Sequence, residues 1–318
     1  MIRCLLATLL LVLSSLAQAQ FPDRPLRVIV GFPPGGAGDL TARTIAEMAG
    51  LALGQNAVVE NRTGANGAIG ADAMVNGAPH DGYTIMQCPM GLMTISPNLP
   101  GPRMPVDVVT QVIPIANLAL STYGMMVRAN GPYRSVADVL AAARAQPGKL
   151  TFASAGIGSA QHLSGEMLKR MAQIDLVHVP YRGGTPAIID LLGGRVDFMI
   201  TNLADVSGQI RDGSLRLLAV ADDQGHPGYP AASISADVPG FSISGWFAAC
   251  GPRDMPREAV EAWARAIRHG LALPRFQTRL LDNGLTPLYE GPEALAARMT
   301  VNRQQFRELI EAAGIRAE

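Results

Sequence analysis

The sequence lacks a surplus of either charge: Lys+Arg and Asp+Glu number 26 each. A nucleic-acid partner requires a basic face that displaces counterions, so this balance argues against one. Charge is also sparse, at 16% of the 318 residues against 48% hydrophobic, which excludes a disordered tail and a charged coiled coil. Lysine is nearly missing. Lys149 and Lys169 are the only two, and no function follows from this arginine bias. Cysteine is scarce as well: Cys4, Cys88 and Cys250. None stands in a C-x-x-C or at metal-ligand spacing from a histidine, so Cys88 and Cys250 are expected as buried structural thiols. Whether they pair is left open, because sequence does not measure their separation.

The chemistry-bearing motifs are missing too. The glycines at Gly64, Gly67 and Gly70 lack the G-x-G of a dinucleotide fingerprint. The run Gly156-Ile157-Gly158-Ser159-Ala160 is not a G-x-S-x-G nucleophile elbow. Ser154 and Ser159, with His162 and His178, are the available nucleophile–base combinations, but Ser159 reads better as a helix cap. His162 and Glu166 share a helix face at i, i+4, and two ligands are too few for a metal site. No catalytic residue, metal or cofactor is therefore assigned.

Long apolar runs occur only at the start. Arg3, the apolar segment Leu5–Leu16 and the small-x-small site Ala17-Gln18-Ala19 make residues 1–19 a signal peptide cut before Gln20. The run is shorter than the roughly 20 residues of a membrane span. The mature chain is expected to be exported to the periplasm and soluble, and Cys4 leaves with the leader.

What remains is long enough for about two domains. Strand and helix periods alternate. Strands are expected at Leu26–Phe32, Ala57–Asn61 and Tyr83–Gln87, with helices at Leu40–Leu53, capped by Asp39, and Ala68–Asn76. The order recurs about 120 residues later: strands at Leu150–Ser154, Leu176–Tyr181 and Val196–Thr201, helices at Ala160–Ala172 and Ala187–Leu192. This implies two α/β lobes with largely parallel sheets. Val112–Arg128 suits a strand crossing between lobes, and Phe241–Cys250 a return crossing. Helices are also expected at Ser135–Gln146, Arg257–Leu271 and Pro292–Ala313, and a strand at Leu215–Ala221. Two strand-to-helix loops, 33–39 and 155–159, are glycine-rich. Ligands of open α/β sheets bind at such carboxyl-end loops, and free N–H groups at a helix start favour an anion such as a carboxylate.

Together the stretches RPLRVIVGFPPGGAGDLTAR, VVENRTGANGAIGADAM, HDGYTI, PGKLTFASAGIGSAQHLSGEML, VHVPYRGGTPAIIDLLGGRVDFM and GWFAACGP resemble the extracytoplasmic solute-binding proteins of the tripartite tricarboxylate transporter family, the Bug proteins. The resemblance covers nearly all of residues 24–252. It implies a two-lobed Venus-flytrap fold of the periplasmic-binding-protein type, with a ligand cleft between lobes. Lobe 1 is expected from residues 20–121 and 225–318, lobe 2 from 122–224. The implied ligand is a small carboxylate (a di- or tricarboxylate, an amino acid or an aromatic acid), held largely by backbone amides. The implied partners are the membrane permease subunits of a tripartite transporter, and the protein is expected to be a monomer. First-lobe contacts fall at Phe32, Pro33, Gly35, Gly36, Ala37, Gly38 and Asp39. Second-lobe contacts fall at Ser154, Ala155, Gly156, Gly158 and Ser159, with His162, Tyr181 and Arg182 near the cleft. Asn202, at the carboxyl end of a strand, is added from the residues themselves. The run Cys88-Pro89-Met90-Gly91-Leu92-Met93 stands where the family often has small hydroxyl residues, and suggests an apolar or aromatic acid if its methionines face the ligand. Two rival readings share these residues: a module presenting its ligand to a membrane sensor kinase, and an exported α/β hydrolase.

Overall fold

The computed structural model describes residues 21–101 and 104–315. The expected leader and its cleavage site lie outside the described residues.

The first half-unit begins with β1 (Leu26–Val30), a run whose side chains are almost all buried. Helix α1 (Ala37–Leu53), β2 (Ala57–Asn61), α2 (Ala68–Val75) and β3 (Thr84–Pro89) follow. β1 lies between β2 and β3, parallel to both. A π-helical turn at Gly91–Ile95 then leads towards β4 (Val112–Arg128), a single 17-residue strand with the bounds its apolar pattern gives. The second unit contains α3 (Val136–Ala145), β5 (Thr151–Ser154), α4 (Ala160–Ala172), β6 (Val177–Pro180), α5 (Gly184–Leu192), β7 (Phe198–Asn202), α6 (Leu203–Arg211) and β8 (Leu215–Val220). β9 (Ser244–Pro252), α7 (Arg257–Leu271), α8 (Pro274–Asp282), β10 (Leu285–Glu290) and α9 (Pro292–Ala313) finish the chain.

The strands join in the order β2-β1-β3-β9-β4-β7-β5-β6, with β8 and β10 also on β4. β4 carries two sets of partners. Val112–Thr122 runs antiparallel to β9, whereas Tyr123–Val127 pairs with β7 and Gly124–Arg128 with β8. The switch falls between Thr122 and Tyr123. The returning chain passes the same point: Ala221 N–H donates to Tyr123 O and Ile243 N–H to Ala221 O, both at 2.8 Å.

Three sequence expectations need correction. The sheets are mixed rather than largely parallel, because β4 and β9 run back through them and every ladder they make is antiparallel. Asp39 does not cap α1. The helix starts earlier, with Gly36 extended at the N-cap position (φ −92°, ψ 179°), and Asp39 falls in its first turn. Helices α6 and α8 and strand β10 were not expected. Pro287 interrupts the β10 pattern, and the strand accommodates it through a register shift between Pro287 and Glu290.

Helix α1 packs against β1 and α7, where Trp263 is fully buried and its indole N–H donates to Gly82 O at 2.9 Å. α4 covers β5 by laying Gly165 on the ring of Phe152, so close that a Cβ at Gly165 would stand 2.0 Å from the ring. Gly165→Ala is therefore expected to destabilise by about 1–3 kcal/mol, as overpacking does. Gly208→Ala in α6, where the added Cβ meets nothing within 4 Å, is expected to raise stability by up to about 1 kcal/mol. Opposite shifts in melting temperature for the two variants are the check.

Cys88 and Cys250 are both free and buried. They lie on the neighbouring strands β3 and β9, where Cys88 faces Ala248 and Cys250 faces Met86. Burial, then the adjacent Cys250 thiol, holds the Cys88 thiol protonated well above its usual range. No described helix is long and apolar enough to cross a membrane.

Candidate functional site

Four helices begin at one place. α1 starts at Gly36, and α4 at Ser159, whose hydroxyl accepts the His162 N–H at 3.2 Å. α5 starts at Gly183, and α6 at Asn202, whose side chain accepts the Asp205 N–H at 3.1 Å. Each follows the carboxyl end of a strand, and their first turns wall a cavity of about 50 Å³ with Phe32, Tyr123 and Phe247 among its apolar lining. Among the described residues, no Lys, Arg or His lines it. What favours an anion there is instead the set of first-turn N–H groups, which have no partner within their own helices.

The two halves touch across this cavity. Ala37 N–H donates to Asp205 Oδ1 at 2.8 Å. Asn66 Nδ2 donates across to Gly158 O and, within its own half, to Ser96 Oγ, both at 2.9 Å. Gly183, in the left-handed region at φ +117°, lies against Pro33; a Cβ there would stand 2.7 Å from the proline Cδ. A side chain at 183 would hold the halves apart.

Two carboxylates stand near the α1 start, and their surroundings differ. Asp39 turns away from the cavity. Its oxygens accept both Arg43 guanidinium N–H groups at 2.9 and 3.0 Å, Asn61 Nδ2 at 3.2 Å and Gly35 N–H at 3.2 Å. Burial pulls its pKa up, but these donors outweigh burial and hold it below the usual carboxylate range. Asp205 faces the cavity. It keeps a partial exposure, directed into that space, while protein encloses its other sides. This burial raises its pKa; Ala37 N–H, Thr201 Oγ1–H and Asn202 Nδ2–H pull it back. Tyr123 lines the same cavity, and burial and then Asp205 push its phenol above its ordinary range.

Of the residues picked out from sequence, Phe32, Pro33, Gly36, Ala37 and Gly38 line the cavity from one side, and Ala155, Ser159 and Asn202 from the other. Gly156, Tyr181 and Arg182 border an adjoining outer hollow that shares Phe32. Tyr181 is fixed there, its hydroxyl donating to Asp190 at 2.6 Å. Asp39, Ser154, Gly158 and His162 are buried and line neither space, and Gly35 is exposed outside both. Met90 and Met93 are buried in the core, and only their neighbours Pro89 and Gly91 reach the cavity. The suggested preference for an apolar ligand loses its basis there.

Ser154 Oγ lies 2.7 Å from His178 Nε2, the one nucleophile–base contact foreseen in sequence that forms. The serine is fully buried and outside the cavity. His178 stacks between Phe152 and His162, with ring centroids at 4.9 and 4.1 Å. Desolvation, then the neighbouring His162 and Lys169, lowers it to about 3; desolvation lowers His162 to about 4. A base this weak is a poor proton acceptor at neutral pH. Glu166, the other half of the i, i+4 pair, contacts Lys169 at 3.5 Å. Among the described residues, no group of three or more metal-ligating side chains converges.

Sequence reasoning missed Asp205, Asn66, Tyr123, Gln161 and Thr185. Asn202-x-x-Asp205 was legible as a capping pattern. Asn66 offered a weaker signal, an asparagine in a glycine-rich loop, and it adopts positive φ at 51°.

A model of the tripartite tricarboxylate transporter family receptor matches residues 41–315. The chain belongs to this receptor family. It is therefore related to solute-binding proteins, and several relatives are similar over almost their whole length. The protein encoded in the tcbD–tcbE intergenic region of Pseudomonas sp. strain P51 is 36% identical, over 91% of this chain and 86% of its own. BugT of Bordetella pertussis is 30% identical, over 92% and 90%. Among solved structures, the periplasmic binding protein BugD superposes with a TM-score of 0.87 at 31% identity, covering 94% of this chain and all of its own. The adipate-bound R. palustris Rpa4515 superposes at 0.88 with 30% identity, over 93% and 99%. The malate-bound MatC of Rhodopseudomonas palustris superposes at 0.85 with 26% identity, over 91% and 100%. The expected receptor family and its two-lobed periplasmic-binding fold are thus both found.

Proposed function

We propose that this receptor captures a small carboxylate in the cavity between its lobes and delivers it to the membrane permease of a tripartite transporter. The carrying observation is the convergence of four helix starts on a cavity that, among the described residues, no cationic side chain lines. Such a site reads an anion through backbone N–H groups, and each helix start contributes about 0.3–1 kcal/mol or somewhat more when partly buried. The adipate and malate held by Rpa4515 and MatC support the same ligand class.

The receptor works in the periplasm as a monomer, after cleavage behind Ala19. Its lobes are residues 20–121 with 225–318, and 122–224. The change of β4 partners at Thr122/Tyr123 supports this division. Closure is a hinge motion at that crossing, favoured by a ligand that touches both lobes. No covalent step occurs. The weak basicity of His178 and the position of Ser154 outside the cavity support that reading.

A thermal-shift screen of residues 20–318, unfolded and refolded to strip bound ligand, tests the proposal against small carboxylates and their neutral amides. A ligand at 100 times its Kd stabilises by about 2.7 kcal/mol, a shift of roughly 5 °C for a chain of this size. Stabilisation by an acid but not by its amide is expected. Equal stabilisation by both would overturn the anion-reading site.

A further inference from the structure

Asp205 sits where an incoming carboxylate would be expected. Its Oδ1 accepts the Ala37 N–H at the α1 start, and its Oδ2 accepts Asn202 Nδ2 at 2.6 Å and Thr201 Oγ1 at 3.1 Å. The Ala37 and Asn202 N–H groups can only donate and the Thr201 hydroxyl is able to, so these contacts favour the ionised form against the burial that raises its pKa. Space is reserved for it. A Cβ at Gly36 would lie 3.2 Å from Oδ1, and a Cβ at Gly184 3.3 Å from Oδ2. No Lys, Arg or His pairs with it among the described residues. Among the described residues, the cavity lining thus holds one carboxylate and no cationic side chain.

That charge has a consequence for selectivity. The helix starts away from Asp205 can hold a ligand carboxylate. A second carboxylate would meet Asp205 with no cation between them, whereas an ammonium or hydroxyl would find an acceptor, because Oδ1 takes only one hydrogen bond from the protein. Charge complementarity and charge repulsion then act together, as selective sites require.

We propose that Asp205 is the specificity-determining residue of this cleft, and that the ligand is a monocarboxylate bearing a hydrogen-bond donor, ammonium or hydroxyl, at the end facing Asp205. The proposal rests on the carboxylate reading of the same site. Dicarboxylates are disfavoured here, unlike in the relatives solved with adipate and malate.

The test uses isothermal titration of refolded residues 20–318 with four length-matched sets of probes: ω-amino acids, ω-hydroxy acids, plain monocarboxylates and α,ω-dicarboxylates, from three to eight carbons, with their benzoate counterparts. The best amino or hydroxy acid is expected to bind at least tenfold tighter than the plain acid of its length, and the dicarboxylate weakest. Asp205→Asn should remove that tenfold advantage and strengthen dicarboxylate binding at least tenfold. Asp205→Ser, which leaves no amide to stand in for the carboxylate, should do the same, with circular dichroism confirming that both variants fold. A dicarboxylate bound tightest by the wild type, or an unchanged order of preference in both folded variants, would overturn this proposal and leave the carboxylate reading intact. Neutral amides binding as well as the acids, or no acid binding at all, would overturn both.

Discussion

Gly36→Asp is expected to weaken carboxylate binding at least 100-fold and to lower the melting temperature of the empty protein as well. The backbone at Gly36 is extended (φ −92°, ψ 179°), so any residue fits without strain. Aspartate is also a good N-cap, better than glycine by a few tenths of a kcal/mol. Neither backbone strain nor a lost cap lowers stability. The new side chain acts on both binding and stability, because its Cβ stands 3.2 Å from Asp205 Oδ1 and 4.0 Å from Thr185 Oγ1, inside the cavity. A carboxylate at that point fills the anion position. It also faces a second carboxylate, and two like charges about 4 Å apart repel by about 4 kcal/mol at an effective dielectric near 20. Titration calorimetry and thermal melting of the same variant separate the two effects. Retained affinity would remove the first loop from the site.

Acidification is expected to destabilise the protein steeply, through His162 and His178. Both are neutral in the fold, with pKa values lowered to about 4 and about 3 by desolvation, against an ordinary value of 6.5. The unfolded chain therefore binds two more protons than the fold as pH drops below 6.5. Stability is fully present above that value and is lost on the way down, until the folded pKa values are passed. Each proton contributes 1.36 kcal/mol per pH unit at most. Between pH 6.5 and pH 4.5 the pair accounts for up to about 5 kcal/mol, or on the order of 8 °C in melting temperature. The loss attributable to the pair is the part removed in His162→Gln/His178→Gln. A double variant with the same acid-induced fall as wild type would assign the effect to other groups.

How much of this was legible depends on where each determinant lies along the chain. β4, α4, α7 and α9 match their expected bounds residue for residue, because their apolar patterns and boundary residues are contiguous. Ser159 was legible as a cap because its partner, His162 N–H, is three residues away. The site was half legible. Glycine-rich loops after strands announce helix starts, but not that four of them face one another. Asp205 illustrates the limit: its decisive partner, Ala37 N–H, is 168 residues distant, and only the tertiary fold brings them together. Asp39 was misassigned for a local reason. Gly36 already takes the extended conformation an N-cap needs, so the aspartate falls one turn inside and pairs with Arg43 instead. Met90 and Met93 show the reverse case, where a local composition suggested a ligand contact and burial in the core explains it.

The most direct test of the account is a crystal structure of residues 20–318 with the carboxylate that gives the largest thermal shift. The account predicts its carboxylate oxygens within about 3 Å of first-turn amide nitrogens of the helices starting at Gly36, Ser159 or Gly183, with no lysine, arginine or histidine side chain touching them. A second hollow offers the alternative, the surface pocket bordered by Arg211, Arg216 and Tyr229. A ligand seated there against those arginines, or anywhere outside the cavity between the lobes, would contradict it.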